Sequence, residues 1–159
     1  MKKLLWLMFL ISSLTISAQQ KDESDREAVK KIILQFIESI NKQDTVMYKS
    51  LILTEGQIWR VRINGNAMNA DLRNFAENIK SFDSHDVIRE KPFDIDIKVH
   101  KGIAMAWVPY EFNMNGKMTH CGIDVFTLIE TDTGWKIVNA SYTVDKGGCE
   151  ELKSRYPGN

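Results

Sequence analysis

His120, Asp124 and Glu111 are the residues whose types and spacing suit chemistry. His120 and Asp124 stand an even number of residues apart in a β-type segment, so both side chains leave the same face of the strand. Asn115-Gly116 is a strong signal for a two-residue hairpin loop. A loop there sets Glu111 opposite His120, and Trp107 opposite Asp124. A histidine between two carboxylates keeps a pKa near neutrality and can move protons as a general acid or base. His120 and Asp124 are therefore the catalytic candidates. The bland alternative is a polar network that satisfies its own hydrogen bonds at the end of a sheet. One histidine and two carboxylates lack the two- or three-histidine signature of common zinc and iron sites. The sequence calls for no metal and no cofactor.

These groups must be held by Lys117 to Val144, which reads as two long strands joined by a tight turn at Thr131–Gly134. With Glu130 opposite Trp135, Phe126 faces Asn139 and Asp124 faces Ser141. One face then carries Ile103, Met105, Trp107, Phe126, Leu128, Trp135 and Ile137, with Glu111, His120, Asp124, Asn139 and Ser141 at one end. Polar groups beside an apolar floor describe a small-molecule pocket. Glu111, Trp107, Phe126, Asn139 and Ser141 are the expected ligand-binding residues, and a hydrophobic small molecule is the expected partner. The opposite face, from Ala104, Ala106, Val108 and Tyr110 to Val125, Val138, Ala140 and Tyr142, is also apolar. No helix is left to cover it, so a homodimer through the sheet is expected.

The other elements follow from periodicity. Ser24 and Glu27 suit a capping box, and Ala28 to Ile40 repeat at helical spacing. Asn41-Lys42-Gln43 ends that helix, and Asp44 caps a short second one through about Leu53. Glu55-Gly56 turns the chain into a strand over Gln57–Ile63, on which Arg60 and Arg62 read as a solvated face, with Arg62 reaching an anionic ligand as the lesser alternative. After a turn at Asn64-Gly65-Asn66, Leu72, Phe75, Ala76 and Ile79 predict a third helix capped by Asn69. Phe93, Ile95, Ile97 and Val99 alternate as in a half-exposed strand, with Pro92 marking a bulge or an edge. Trp59, Trp107 and Trp135 are expected in the core.

The chain of 159 residues suits one domain. Lys2-Lys3, an apolar run from Leu4 to Leu14 and a small residue at Ala18 describe a secretory signal peptide over 1–18, too short for a comfortable membrane span. That leaves a single domain over 19–159, with its core at about 24–146, in the periplasm or outside the cell. Cleavage leaves 19 basic and 21 acidic residues. No basic patch stands out, so nucleic acid is not an expected partner. Cys121 and Cys149 either pair in an oxidising compartment or remain as one buried and one tail thiol; the second reading is favoured slightly.

Two or three helices followed by a curved antiparallel sheet, closing on Gly134-Trp135-Lys136-Ile137-Val138 and Ser141, resemble the nuclear transport factor 2-like superfamily. The narrower likeness is to its SnoaL-like and ketosteroid-isomerase-like branch. The resemblance implies an α+β, cone-shaped, cystatin-like roll, with N-terminal helices packed on a strongly curved sheet and a pocket at the open end. Ile123-Asp124-Val125 resembles the isomerase segment holding a neutral, hydrogen-bond-donating Asp, which works because an apolar site disfavours its charge. Phe36 replaces the isomerase tyrosine, and no Asp lies between Thr54 and Asn66 to act as the base. Steroid isomerisation is therefore not expected. The expected function is binding of a small molecule by an exported domain. Isomerase, dehydratase or hydrolase chemistry through His120 or Asp124, and a protein-interaction module, are the alternatives.

Overall fold

The computed structural model describes the backbone of residues 2–82 and 85–157, and side chains from residue 20 onward within those ranges except at 81. The side chains of the expected leader lie outside the described set. α1 (Lys2–Lys42) is one continuous helix. No Gly or Pro interrupts it, so Ser24 starts nothing; its hydroxyl donates to the Lys21 carbonyl at 3.0 Å, within the helix. The helix ends at Gln43, whose φ is 53°. Asp44 then caps α2 (Thr45–Leu51), accepting from the Val46 and Met47 amides as expected.

β1 (Ile52–Asn64) runs through Glu55-Gly56 instead of turning there. The third helix is also shorter than its periodicity implied. Ala67–Asn74 forms β2, antiparallel to β1, because Asp71 sits opposite Arg60 and takes a two-point ion pair from it. Only α3 (Phe75–Ile79) is helical, and Asn74, not Asn69, caps it in a box with Glu77. After a 3₁₀ turn (Lys80–Phe82) come β3 (Ile88–Pro92), β4 (Asp96–His100), β5 (Ile103–Met114), β6 (Lys117–Thr131), β7 (Gly134–Asp145) and α4 (Cys149–Arg155). The seven strands make one curved, unclosed sheet in the order β2-β1-β7-β6-β5-β3, with β4 also on β5. Only β1 and β7 pair in parallel.

The hairpin turn at Asn115-Gly116 forms as read, with φ of 51° and 77°. Two bulges then overturn the expected registers. Met114 pairs Lys117 and Asn113 pairs Met118, but Phe112 pairs His120, so Thr119 is an extra residue. On the other side of β6, Leu128 pairs Ile137 but Thr127 pairs Asn139, so Val138 is extra. Side chains alternate strictly, and one extra residue exchanges the faces of everything beyond it. Ala104, Ala106, Val108 and Tyr110 therefore face the helices and are buried, while Ile103, Met105 and Trp107 face outward. Trp135 is buried, but Trp107 and Trp59 are each 40% exposed, not core.

The core lies between the sheet and the N-terminal helices. Val29, Ile33, Phe36 and Ile37 of α1 meet Tyr48 of α2, Phe75 of α3, and Phe126, Leu128 and Ile137 of the sheet. Tilted and edge-on contacts join Phe36 to Tyr48, Phe75 and Phe126. On the outer face, Cys121 and Cys149 form a disulfide with Cα atoms 5.5 Å apart. One buried and one tail thiol, the slightly favoured reading, is not what forms, because α4 returns across β6. It covers part of the face expected to be bare.

Candidate functional site

Between α1 and the concave face of the sheet lies a cavity of about 390 Å³. Its floor is set by residues that share rungs of the sheet. On one rung, Arg60 of β1 pairs Tyr142 of β7, Tyr142 pairs Asp124 of β6, and Asp124 pairs Val108 of β5. On a second, Arg73 of β2 pairs Ile58, Ile58 pairs Ala140, and Ala140 pairs Phe126. Paired residues point to the same side, so both rungs present their side chains inward, and all of them except Val108 line the cavity. Phe36 and Ile40 of α1 and Phe82 supply apolar wall. Arg62, 41% exposed at its side chain, and the exposed Met114 mark the rim.

Asp124 is only 6% exposed, and its Oδ2 is buried without a hydrogen-bond partner. Burial pushes its carboxyl well above the usual range, and the charge and hydrogen bonding of the Glu90 carboxyl push it further. Burial likewise raises Glu90 to about 7, while its hydrogen bond with Asp124 acts the other way. Two neighbouring, largely shielded acids cannot both ionise cheaply. The directions assign the proton to Asp124 and the first charge to Glu90. Glu90 reaches this place because Asn41, near the end of α1, clasps β3: its amide donates to the Glu90 carbonyl at 2.9 Å, and its oxygen accepts from the Glu90 amide at 2.6 Å. Tyr110 lies across Gly122 and donates its hydroxyl to the Thr143 carbonyl at 2.7 Å. Burial, together with the Asp124 and Glu90 charges, keeps that phenol protonated.

At the opposite pole, Arg60 and Arg62 both bind Asp71. The hydrogen bond from Arg60 holds that carboxyl below its ordinary value. Arg73 donates instead to the Tyr142 hydroxyl at 2.6 Å. Tyr142 feels both poles: Arg73 and Arg60 lower its pKa and Asp124 raises it, burial being the largest effect.

Of the sequence candidates, His120, Asp124 and Phe126 line this cavity. His120 stacks on Phe112 with ring centroids 4.8 Å apart, and its Nδ1 shares a 2.9 Å hydrogen bond with the Thr119 hydroxyl. Burial and then the Lys146 charge lower its pKa, which keeps it neutral near pH 7. It is not set between carboxylates, because Glu111 lies on the outer face, paired with Cys121 and bridged to Lys153 at 3.2 Å. Trp107 also points outward, where its indole donates to the Tyr156 hydroxyl. Asn139 and Ser141, displaced by the Val138 bulge, bond each other at 3.3 Å. The two bulges thus remove Glu111, Trp107, Asn139 and Ser141 from the cavity. Glu90, Tyr110, Tyr142 and the three arginines take their places. Of the two arginines read as solvated, Arg60 lines the interior, while Arg62 stands at the exposed rim. Among the described residues, no group of three or more His, Cys, Asp or Glu is placed to hold a metal ion. Among them too, no helix is long and apolar enough to cross a membrane.

Helices laid over a curved, bulged sheet with a polar-floored pocket define an α+β domain of the nuclear transport factor 2-like, cystatin-like kind. The solved structures agree. An NTF2-like protein with a cystatin-like fold from Novosphingobium aromaticivorans superposes with a TM-score of 0.66 at 15% identity, over 86% of this chain and 94% of its own. A nuclear transport factor 2-like superfamily protein from Salmonella enterica gives 0.63 at 18%, over 77% and 92%. A "putative dehydratase from the NTF2-like family" of Streptomyces avermitilis gives 0.60 at 17%, over 77% and 96%. No curated protein matches the chain. Within this fold, the chain belongs to the family described as "Putative lumazine-binding", matched over residues 24–143.

Proposed function

We propose that the protein is an exported domain that binds a small, mostly apolar molecule carrying a polar oxygen or ring nitrogen. The observation that carries this reading is the Asp124 carboxyl, buried in the floor of the cavity with Oδ2 unpartnered. A buried polar atom without a partner costs about 1–3 kcal/mol. A ligand that bonds the Glu90–Asp124 pair recovers that cost and gains apolar contact with Phe36 and Phe126. The disulfide supports an oxidising compartment, in keeping with the leader at 1–18.

Thermal shift of the oxidised 19–159 chain against lumazine and a panel of cyclic ketones tests the reading. A ligand at a hundred times its Kd stabilises by about 2.7 kcal/mol. The shift is expected to vanish in Asp124→Leu, which keeps the volume but removes the acid. No shift, or the same shift in Asp124→Leu, overturns the proposal.

A second reading, catalysis, is favoured by one feature: an acid that keeps its proton beside one that loses it near neutrality. In a dehydration, Glu90 would take the proton beside a carbonyl while Asp124 gave its proton to the departing hydroxyl. A bound β-hydroxy ketone recovered without loss of water argues for binding alone. Loss of water that stops in both Asp124→Asn and Glu90→Gln argues for turnover. The exposed Ile103, Met105 and Trp107 are proposed to meet a second copy. Sedimentation at micromolar concentration should show a dimer that Met105→Glu dissociates; a monomer throughout removes that part.

A further inference from the structure

We propose that the cavity is built for an amphipathic anion, a carboxylate on an apolar body, seated with its negative end on Arg73 and its other end toward Asp124. This rests on the binding reading above and adds the ligand's charge and orientation. Three guanidiniums line one side of the cavity, and one carboxylate, Asp71, serves them. Asp71 is spent on Arg60 and Arg62, and Arg62 stands at the solvent-exposed rim. Among the described residues, Arg73 has no ion pair. It has a neutral partner in Tyr142, and its Nε is buried with no acceptor at all.

A guanidinium is never relieved by losing its proton, so a shielded N–H without an acceptor stays a cost until something supplies an oxygen. A planar carboxylate matches the Nε edge of arginine with two parallel hydrogen bonds, where a neutral carbonyl offers one. The far pole enforces the direction. Once ionised, the Glu90–Asp124 pair repels a second anion, whereas Asp124 in its protonated form donates to a neutral oxygen. The sheet sets the span. Arg73 lies three strands from Phe126 on one rung, and Asp124 is the next inward-facing residue on β6. At about 4.8 Å per strand the Cα atoms of Arg73 and Phe126 are about 14 Å apart, and two residues along β6 add about 7 Å at right angles, so Arg73 and Asp124 are about 16 Å apart, less the reach of the arginine side chain. An acid with an apolar body of one or two rings, or a medium alkyl chain, fits that gap.

Calorimetry on the oxidised 19–159 chain with matched pairs, indole-3-acetate against indole-3-acetamide and decanoate against decanamide, tests the inference. The acid of at least one pair is expected to bind about tenfold or more tightly than its amide. Arg73→Met should remove that preference, costing the acid more affinity than the amide, which loses one hydrogen bond where the acid loses two, and Arg73→Lys should restore only part of it. Acid and amide binding equally to the wild type overturns the anion subsite and leaves the apolar cavity standing. Neither member of either pair binding overturns both. A preference for the acid that persists in Arg73→Met moves the anion away from Arg73 and also defeats the inference. The wild-type comparison stands even if the variants fold poorly.

Discussion

Gly122→Ala is expected to cost the fold about 3 kcal/mol. β6 runs so close to β7 that a Cβ at 122 would lie 2.1 Å from the Thr143 carbonyl oxygen and 2.8 Å from its hydroxyl. Neither obstacle is the free end of a flexible chain. The carbonyl accepts from Tyr110, and the hydroxyl accepts from the Ile123 amide at 2.9 Å. Relief requires prising the two strands apart, which breaks both bonds and shifts the floor under Asp124. Urea unfolding measures the loss. Gly147→Ala, whose Cβ would meet nothing nearer than 3.8 Å, is the control and should change stability by less than about 0.5 kcal/mol. Equal midpoints for the two variants would show that the close approach is not a feature of the fold.

Stability is expected to fall by up to about 3 kcal/mol as pH rises from about 4 to about 8. The sign follows from the carboxyl pair. Below the ordinary values of 3.8 and 4.5, Asp124 and Glu90 are protonated both folded and unfolded and contribute nothing. As pH rises, the unfolded chain releases these protons while the native state, with Glu90 at about 7 and Asp124 raised well above its ordinary value, keeps them. The native state then binds more protons, so the equilibrium drifts toward unfolding until the native acids ionise too. His120 works in the opposite sense: its lowered pKa means that stability is lost as pH falls through about 6.5. Comparison of the double variant Asp124→Asn/Glu90→Gln with wild type isolates the pair. The urea midpoint should drop between pH 5 and pH 8 in wild type, should still drop in either single variant because burial raises whichever acid remains, and should hold nearly level in the double variant Asp124→Asn/Glu90→Gln. A wild-type midpoint that rises over this range, or a drop that survives both substitutions, would rule out a shared proton.

Local chemistry was legible in the sequence. The Asn115-Gly116 turn, the Asp44 cap and the helical face through Val29, Ile33 and Phe36 could all be read from residue types, and the roll was implied by the family resemblance. The candidate site was half legible, and the division has one cause. His120, Asp124 and Phe126 all belong to β6, so a single alternation places them together. Glu111 and Trp107 lie on β5 and Asn139 and Ser141 on β7, each beyond a bulge. Nothing in Met118-Thr119-His120 or Ile137-Val138-Asn139 marks an extra residue, because a bulge is decided by pairing across strands. Arg60, Arg62 and Arg73 were hidden by the same kind of long-range fact. Their direction depends on β1 lying parallel to β7, a partner far away in the chain. Glu90 stands in a run of charges, Arg89-Glu90-Lys91, with no periodicity to orient it, and the clasp from Asn41 shows which way it turns.

The rungs of the floor carry a consequence for how such a cavity diversifies. Hydrogen-bonded strands keep a constant lateral pitch, so polar groups at one level can be separated only by whole steps of it. Exchanging a residue at 58, 140 or 142 relocates a polar contact by one step while the scaffold stays still. A lineage can thus retune the length of the molecule it accepts by single codon changes, as a ruler is re-marked without being bent.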